Sequence, residues 1–297
     1  MVIDNKKIRG HLPIIAIGAA LFGLLILLFN LGDEPAEYPI KRVVQYGFEI
    51  ENRGSEVVRD VEFWTYAPVK LTSTQKFENL TVSHPYELIE DELDNQVIHL
   101  KFDVIPPYAT KIVTVQAELS MSDTPNPLPL IDSEAFLKAE KYIESEHADI
   151  RTVATSFPGD GESDVEAIYN WTADHIQGVA YVREDRGALY ALHKKSGDCT
   201  EYTYLFTALC RAKGIPARPF GGYVLSENGK LASESYHNWA EFYLDGTWQL
   251  ADPQMKVFEE RPSRFIAMNV ISNGAKNPMN GMQRFRFTGK NIFVTMR

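Results

Sequence analysis

Gly197-Asp198-Cys199-Thr200-Glu201-Tyr202 is the stretch whose reading decides the fold. Asp198 followed three residues later by Glu201 is a capping-box pattern: the Asp198 side chain accepts from the first helical N–H groups, and Glu201 reaches back to the cap. Cys199 is then the first residue of a helix. Tyr202, Leu205, Phe206 and Leu209 form one apolar stripe along it, and Gly214 with Pro216 beyond ends it after about fifteen residues. A thiol in the first helical turn lies beside unpaired N–H groups and the positive end of the helix dipole, a setting that favours thiolate over thiol. That placement makes Cys199 a candidate nucleophile.

The other cysteine, Cys210, lies three turns along the same helix, roughly 16 Å away at about 1.5 Å per residue. A disulfide needs Cα atoms within about 7 Å, so the two cannot pair inside this helix. Cys210 reads as a small buried hydrophobe.

Downstream, Tyr236 to Leu244 reads as a strand, Asp245-Gly246 as a two-residue type I′ turn, and Thr247 to Asp252 as the returning strand, stopped by Pro253. That loop sets Asp252 opposite Trp239, which makes His237 a diagonal neighbour of Asp252 on the same face. A single β-bulge would reverse this parity. The expected chemistry is His237 as base for the Cys199 thiol and Asp252 as the acid that orients the imidazole and stabilises its cation.

The blocks Gly197-Asp198-Cys199-Thr200-Glu201, Leu209-Cys210-Arg211-Ala212-Lys213-Gly214-Ile215-Pro216-Ala217-Arg218, His237-Asn238-Trp239-Ala240-Glu241 and Trp248-Gln249-Leu250-Ala251-Asp252-Pro253 resemble the transglutaminase-like family of papain-like cysteine enzymes. The resemblance covers roughly residues 130 to 260. It implies an α+β fold, with a Cys-bearing helix packed on an antiparallel sheet. It also implies a triad of Cys199 as nucleophile, His237 as general base then acid, and Asp252 as orienting acid. One oxyanion donor would be the Cys199 backbone N–H. The second, a tryptophan in the animal enzymes, has no clear counterpart: Trp171 and Tyr181 lie upstream but read better as core aromatics. The calcium sites of the animal enzymes are not matched, so no cofactor or metal is implied. Arg218 reads as an ion-paired structural residue and Glu201 as a cap, rather than as substrate-binding charges. On this reading the chain is an acyl-transfer enzyme acting on amide bonds of a protein or peptide substrate, with hydrolysis favoured. Transamidation and a non-catalytic binding or scaffold role are the alternatives.

The 297 residues are 44% hydrophobic and 24% charged, a globular composition. With two cysteines and scattered histidines, neither a disulfide framework nor a four-cysteine zinc site is available. From Lys41 to Ser122 the chain reads as strands, at Val43–Ile50, Val58–Tyr66, Val97–Val104 and Lys111–Leu119. Asn52-Arg53-Gly54-Ser55 and Pro106-Pro107 punctuate this block, which suggests a small β-sandwich of immunoglobulin or fibronectin type over 38–122. Thr124 to Pro129, rich in proline, cannot continue a sheet and marks a linker over 123–131. The catalytic part is expected over 132–297. It opens with helical periodicity at Phe136, Ala139 and Ile143, then at Val165, Ile168, Thr172 and Ile176 behind a capping box at Ser163-x-x-Glu166. Asn79-Leu80-Thr81 and Asn170-Trp171-Thr172 match the glycosylation pattern, which matters only in a eukaryotic secretory host.

One stretch departs from globular composition. Leu12 to Leu31 carries no charge, and as a helix it is long enough to span a bilayer. Lys6, Lys7 and Arg9 precede it and Asp33 and Glu34 follow. The expectation is therefore a basic cytoplasmic N-terminus over 1–11, a single-pass membrane helix over 12–31, and the remainder extracytoplasmic, periplasmic or at the cell surface. A cleaved signal peptide fits less well, because the apolar run is long and no clean cleavage site follows. Residues 1–31 carry a net charge of +2, which leaves −12 on 32–297. So acidic an exterior argues against nucleic acid and anionic lipid as partners of that part. It leaves room for a cell-envelope partner on the β-domain.

Overall fold

The computed structural model describes residues 36–297 except 158, 160 and 275. The expected membrane segment at 12–31 lies outside the described residues. Among those described, no helix is long and apolar enough to cross a membrane.

The first half is built from β1 (Ile40–Asn52), β2 (Val58–Ala67), β3 (Gln75–Val82), β4 (Glu87–Glu90), β5 (Gln96–Ile105) and β6 (Thr110–Met121). Four of these fall where alternation and β-branched runs place them. The other two are edge strands with weak signals: β3 is interrupted by a bulge between Phe77 and Asn79, and β4 has four residues. The second half runs through α1 (Ala148–Ala154), α2 (Glu162–His175), β7 (Gln177–Gly178), α3 (Ala188–Lys194), β8 (Ser196–Gly197) and α4 (Cys199–Ala212). Then follow β9 (Ala217–Val224), β10 (Gly229–Lys230), β11 (Tyr236–Leu244), β12 (Thr247–Asp252), β13 (Val257–Phe258), β14 (Phe265–Val270), β15 (Phe285–Phe287) and β16 (Ile292–Met296).

Two of the expected helical features differ. Around Phe136 to Ile143 only a 3-10 turn forms, at Glu134–Phe136. The buried Arg211 holds the rest of that segment open: its Nη1 donates to Lys138 O at 2.8 Å and to Glu140 Oε1 at 2.9 Å. These bonds reward an irregular backbone more than an exposed helix would. Second, α2 starts at Glu162 behind Gly161, one residue before Ser163, so the expected capping box does not form its boundary. Val165, Ile168 and Thr172 do form its buried face.

The catalytic-type sheet is antiparallel, in the order β13-β12-β11-β9-β14. On one face α4 buries Leu205, Phe206 and Leu209 against Ala240 and Phe242. Each such fully buried large side chain contributes about 1.5–3 kcal/mol. On the other face Phe220, Trp239, Leu250 and Phe265 pack together with Val69 of the sandwich. The architecture is α+β, with the Cys199 helix on an antiparallel sheet and a β-rich unit before it.

The last stretch of the chain returns to the sandwich. β16 pairs with β1 and β15 with β2, so these C-terminal strands complete the two sheets begun by residues 40–121. The short β10 also pairs with β1. In the other direction the sandwich closes the free edge of β14 with side-chain amides. Gln75 Nε2 donates to Ala267 O and its Oε1 accepts from Ala267 N, while Asn95 does the same with Val270 O and N. Together with Val69 N, which also donates to Ala267 O, these two buried amides stand in for a neighbouring strand and satisfy main-chain groups along the edge.

Replacing Gln75 by Ala strands buried partners on both sides and should cost about 2–4 kcal/mol. Urea unfolding of the full chain should show it as a lower midpoint. An unchanged midpoint would show that the amide clamp does not hold the edge.

Candidate active site

The expected capping box at Asp198 is formed. Asp198 Oδ1 accepts from Thr200 N at 3.0 Å, and Glu201 Oε2 accepts from Asp198 N at 3.1 Å. Both carboxylates also hold the loop between β7 and α3: Asp198 Oδ2 accepts from Val182 N, and Glu201 pairs with Arg186 at 2.5 Å. Glu201 therefore acts as a cap, as its spacing implies, with Arg186 as an added partner that the sequence did not signal. Cys199 is the first residue of α4 and is half-buried. Its backbone N–H is one of the first-turn amides that has no acceptor within a helix.

The hairpin register is the expected one. Leu244 pairs with Thr247 and Ala240 with Ala251, with no bulge between them, and Asp245 and Gly246 both have positive φ, as a type I′ turn requires. His237 and Asp252 accordingly meet across the strands: Nε2 donates to Asp252 Oδ2 at 2.6 Å. Asp252 is 1% exposed, and its second oxygen accepts from Met255 N at 3.0 Å, so the carboxylate is oriented from both sides. Nδ1 of His237 is then the nitrogen left for the sulfur. Cys199 stands near enough to His237 to act on the charge of its ring. Burial alone would lower the His237 pKa, but hydrogen bonds and charge from Asp252 and Cys199 outweigh it and push it up to about 9. Burial pushes the thiol of Cys210, fully enclosed in the core, far in the unreactive direction.

Close backbone approach shapes the floor of the site. Gly222, paired with His237, and Gly221, paired with Asn238, lie on β9. A Cβ on Gly222 would overlap Ile266 O and the Trp239 ring, and one on Gly221 would overlap the Tyr236 hydroxyl.

The remaining expected residues divide. Arg218 is an ion-paired structural residue: it bonds Glu241 at 2.7 Å and stacks over Trp248 at 4.0 Å. Burial raises the Glu241 pKa, and Arg218 opposes that rise. Trp171 is half-buried, stacked on His175 and edge-on to Phe157. Tyr181, expected as a core aromatic, is 71% exposed. Val179 N bonds Gly197 O and Val182 N bonds Asp198, and between these ties the chain bends at Ala180 and leaves Tyr181 outward.

Sequence reasoning missed two features of the site. Asn238 Oδ1 lies 3.4 Å from Cys199 Sγ. Gln283, just before β15, bridges both halves of the site. Its Nε2 donates to Asp185 in the loop between β7 and α3, and its main-chain carbonyl accepts from the hydroxyl of Tyr236, the neighbour of His237. Asn238 directly follows the histidine, yet strand alternation assigns it to the opposite face. Gln283 carries no local signal at all.

Because the folded His237 pKa lies above its usual value of about 6.5, the stability it supplies is full below that pH and is lost as pH rises through about 9. The difference in unfolding free energy between wild type and His237→Gln should therefore shrink by about 3 kcal/mol between pH 6 and pH 10. Denaturant titrations at both pH values read it directly. A difference that stays constant would show that the histidine gains nothing from Asp252 and Cys199.

A family model for the core domain of the transglutaminase-like superfamily matches residues 151–253. The human kyphoscoliosis peptidase is 32% identical over 97 residues; the match covers 30% of this chain and 15% of the human protein's length. Among solved structures, a protein of Cytophaga hutchinsonii provisionally named a cysteine protease superposes with a TM-score of 0.55. It is 17% identical, with 87% of this chain and 92% of that one covered. The periplasmic domain of TgpA from Pseudomonas aeruginosa gives a TM-score of 0.38 at 14% identity, with 70% and 87% covered. The family match takes in the helix that starts at Cys199 and the hairpin that joins His237 to Asp252, so this core of the chain is similar to the transglutaminase-like superfamily.

Proposed function

We propose that the protein is a cysteine acyl-transfer enzyme acting on amide bonds of protein or peptide substrates through Cys199, His237 and Asp252, with water as the favoured acceptor. The observation that carries this reading is that one His237 nitrogen is held by the buried Asp252 carboxylate while the half-buried Cys199 stands near enough to act on the charge of the ring. His237 takes the sulfur proton as the S–C bond forms and the carbonyl π pair moves to oxygen. The Cys199 N–H, unpaired at the helix start, is placed to donate to that oxygen. Collapse expels the amine, which leaves with the proton from His237 and a thioester on Cys199. Water, deprotonated by the same imidazole, then releases the acid. Asp252 holds the ring orientation throughout and stabilises its cation. Hydrolysis is favoured because excluding water at a half-exposed sulfur demands a sealed channel.

Cys199→Ala should abolish release of amine from peptide amides, whereas Cys210→Ala should leave it intact. The wild-type kcat/KM should follow a bell whose limbs belong to the coupled Cys199–His237 pair, falling on the alkaline side near pH 9. Mass spectrometry of the products with an added primary amine separates outcomes: free acid supports hydrolysis, and an amine adduct would replace it by transamidation. Full turnover by Cys199→Ala would remove the enzymatic reading in favour of a scaffold.

The proposal extends to location. The uncharged run at 12–31, with Lys6, Lys7 and Arg9 before it, supports a single N-in anchor with the enzyme outside the cytoplasm, where the β-rich unit could contact an envelope partner. A reporter active only outside the cytoplasm, fused after residue 36 of the intact N-terminal segment, should be active. An inactive, cytoplasmic fusion would reverse the topology.

A further inference from the structure

Asn238 is 2% exposed, and both ends of its amide are committed. Nδ2 donates to Phe220 O at 3.1 Å. A main-chain carbonyl can only accept, so the amide NH2 must face Phe220 and Oδ1 must face α4. There Oδ1 accepts from Thr200 Oγ1 at 3.2 Å and from Cys199 Sγ at 3.4 Å. Turning the amide over would set NH2 against a hydroxyl that can still accept, but it would press Oδ1 onto the Phe220 carbonyl.

The sulfur therefore has two proton acceptors with opposite effects on its charge. An imidazolium at His237 attracts the thiolate. The Asn238 oxygen, the negative end of a buried dipole, holds S–H and repels S⁻, and the low local dielectric strengthens both effects. We infer that Asn238 is a fourth catalytic residue, which holds Cys199 as the neutral thiol against the Cys199–His237 ion pair and so makes the thiolate, once formed, a stronger nucleophile. The inference rests on the reading of Cys199 as nucleophile. It follows from charge flow: as the S–C bond forms, negative charge leaves sulfur for the carbonyl oxygen, and the repulsion from Oδ1 is relieved in the transition state. A thiolate that is harder to form is also intrinsically more nucleophilic, with a Brønsted coefficient of about 0.4–0.5. A second consequence is protection: less standing thiolate means slower oxidation of a thiol that has no disulfide partner.

The other charged and titratable groups around this end of α4 are accounted for. On β11 are His237 and Tyr236, and on β12 is Asp252 behind the histidine. Asp198 and Glu201 lie on α4's own start, the latter paired with Arg186. Asp185 in the loop between β7 and α3 is bonded to Tyr204 and Gln283, and Arg284 lies over the Tyr236 ring. The substitutions below change none of them.

The test is the pH dependence of alkylation of the folded full chain by iodoacetamide, with Cys199 and Cys210 quantified separately by peptide mass spectrometry. In Asn238→Ala the midpoint for Cys199 should move about one pH unit to the acid side, and the plateau rate should fall about threefold. Thr200→Val removes a donor that competes for Oδ1 while leaving Asn238 in place. Its midpoint should move the other way, by a fraction of a unit, with a higher plateau. Should Asn238→Ala fail to fold by circular dichroism, the sign of the Thr200→Val shift decides alone. A lower plateau with an unmoved midpoint in Asn238→Ala, or an acid shift in Thr200→Val, overturns the inference and leaves the nucleophile reading standing. Wild-type Cys199 reacting no faster than Cys210 overturns both.

Discussion

Two buried carboxylates at the start of α4 organise the site. Asp198 and Glu201 cap the helix in the ordinary reciprocal way, which fixes where Cys199 stands relative to the first-turn amides. Their remaining oxygens bind Val182 N, Arg186 N and the Arg186 side chain, so the loop between β7 and α3 is fastened to the same point. A buried carboxylate is tolerated only where its lone pairs are filled, and here the donors that fill them come from the helix start and from the loop between β7 and α3. Loss of either residue would release the helix start and the loop together.

The second constraint is that the β-rich unit and the core share edges and cannot be treated as beads on a string. Gln75 and Asn95 complete the β14 edge from the sandwich side, and β15 and β16 complete the sandwich from the C-terminal side. Even the proline-rich stretch at 123–131 is tied down, by Asn126 to Glu37 and Ser73 and by Leu128 N to Gly246 O at the tip of the β11–β12 hairpin. Gln283 carries this integration into the site. It lies at the point where the chain leaves the core for the sandwich, and it bonds Asp185 in the loop between β7 and α3 and the hydroxyl of Tyr236 next to His237. The separate domain boundaries that composition suggests are thus crossed three times by strand pairing.

The features legible from sequence were those governed by short-range rules. The Asp198–Glu201 spacing, the apolar stripe of α4, the Asp245-Gly246 turn and the diagonal relation of His237 to Asp252 each depend on residues a few positions apart, so periodicity and turn chemistry suffice to read them. The helix expected around Phe136 failed for the complementary reason: its fate was settled by Arg211, some seventy residues away, whose buried guanidinium needed the Lys138 carbonyl and Glu140 carboxylate. Tyr181 was misassigned because an aromatic between two apolar neighbours looks like core until the backbone bonds on either side dictate which way it faces.

By itself, then, the sequence determined the Cys-bearing helix, the hairpin that joins histidine to aspartate, and the superfamily this core resembles, because capping, alternation and turn geometry are local properties of the chain. Only the tertiary structure decided what surrounds the sulfur. Alternation along β11 sends His237 toward Asp252 and Asn238 toward α4, yet α4 begins at the margin of the sheet, where Cys199 meets both. Which side chains converge there depends on how a helix end is laid against a strand end. That is fixed by long-range packing and by the Asp198 and Glu201 contacts, and no residue spacing encodes it.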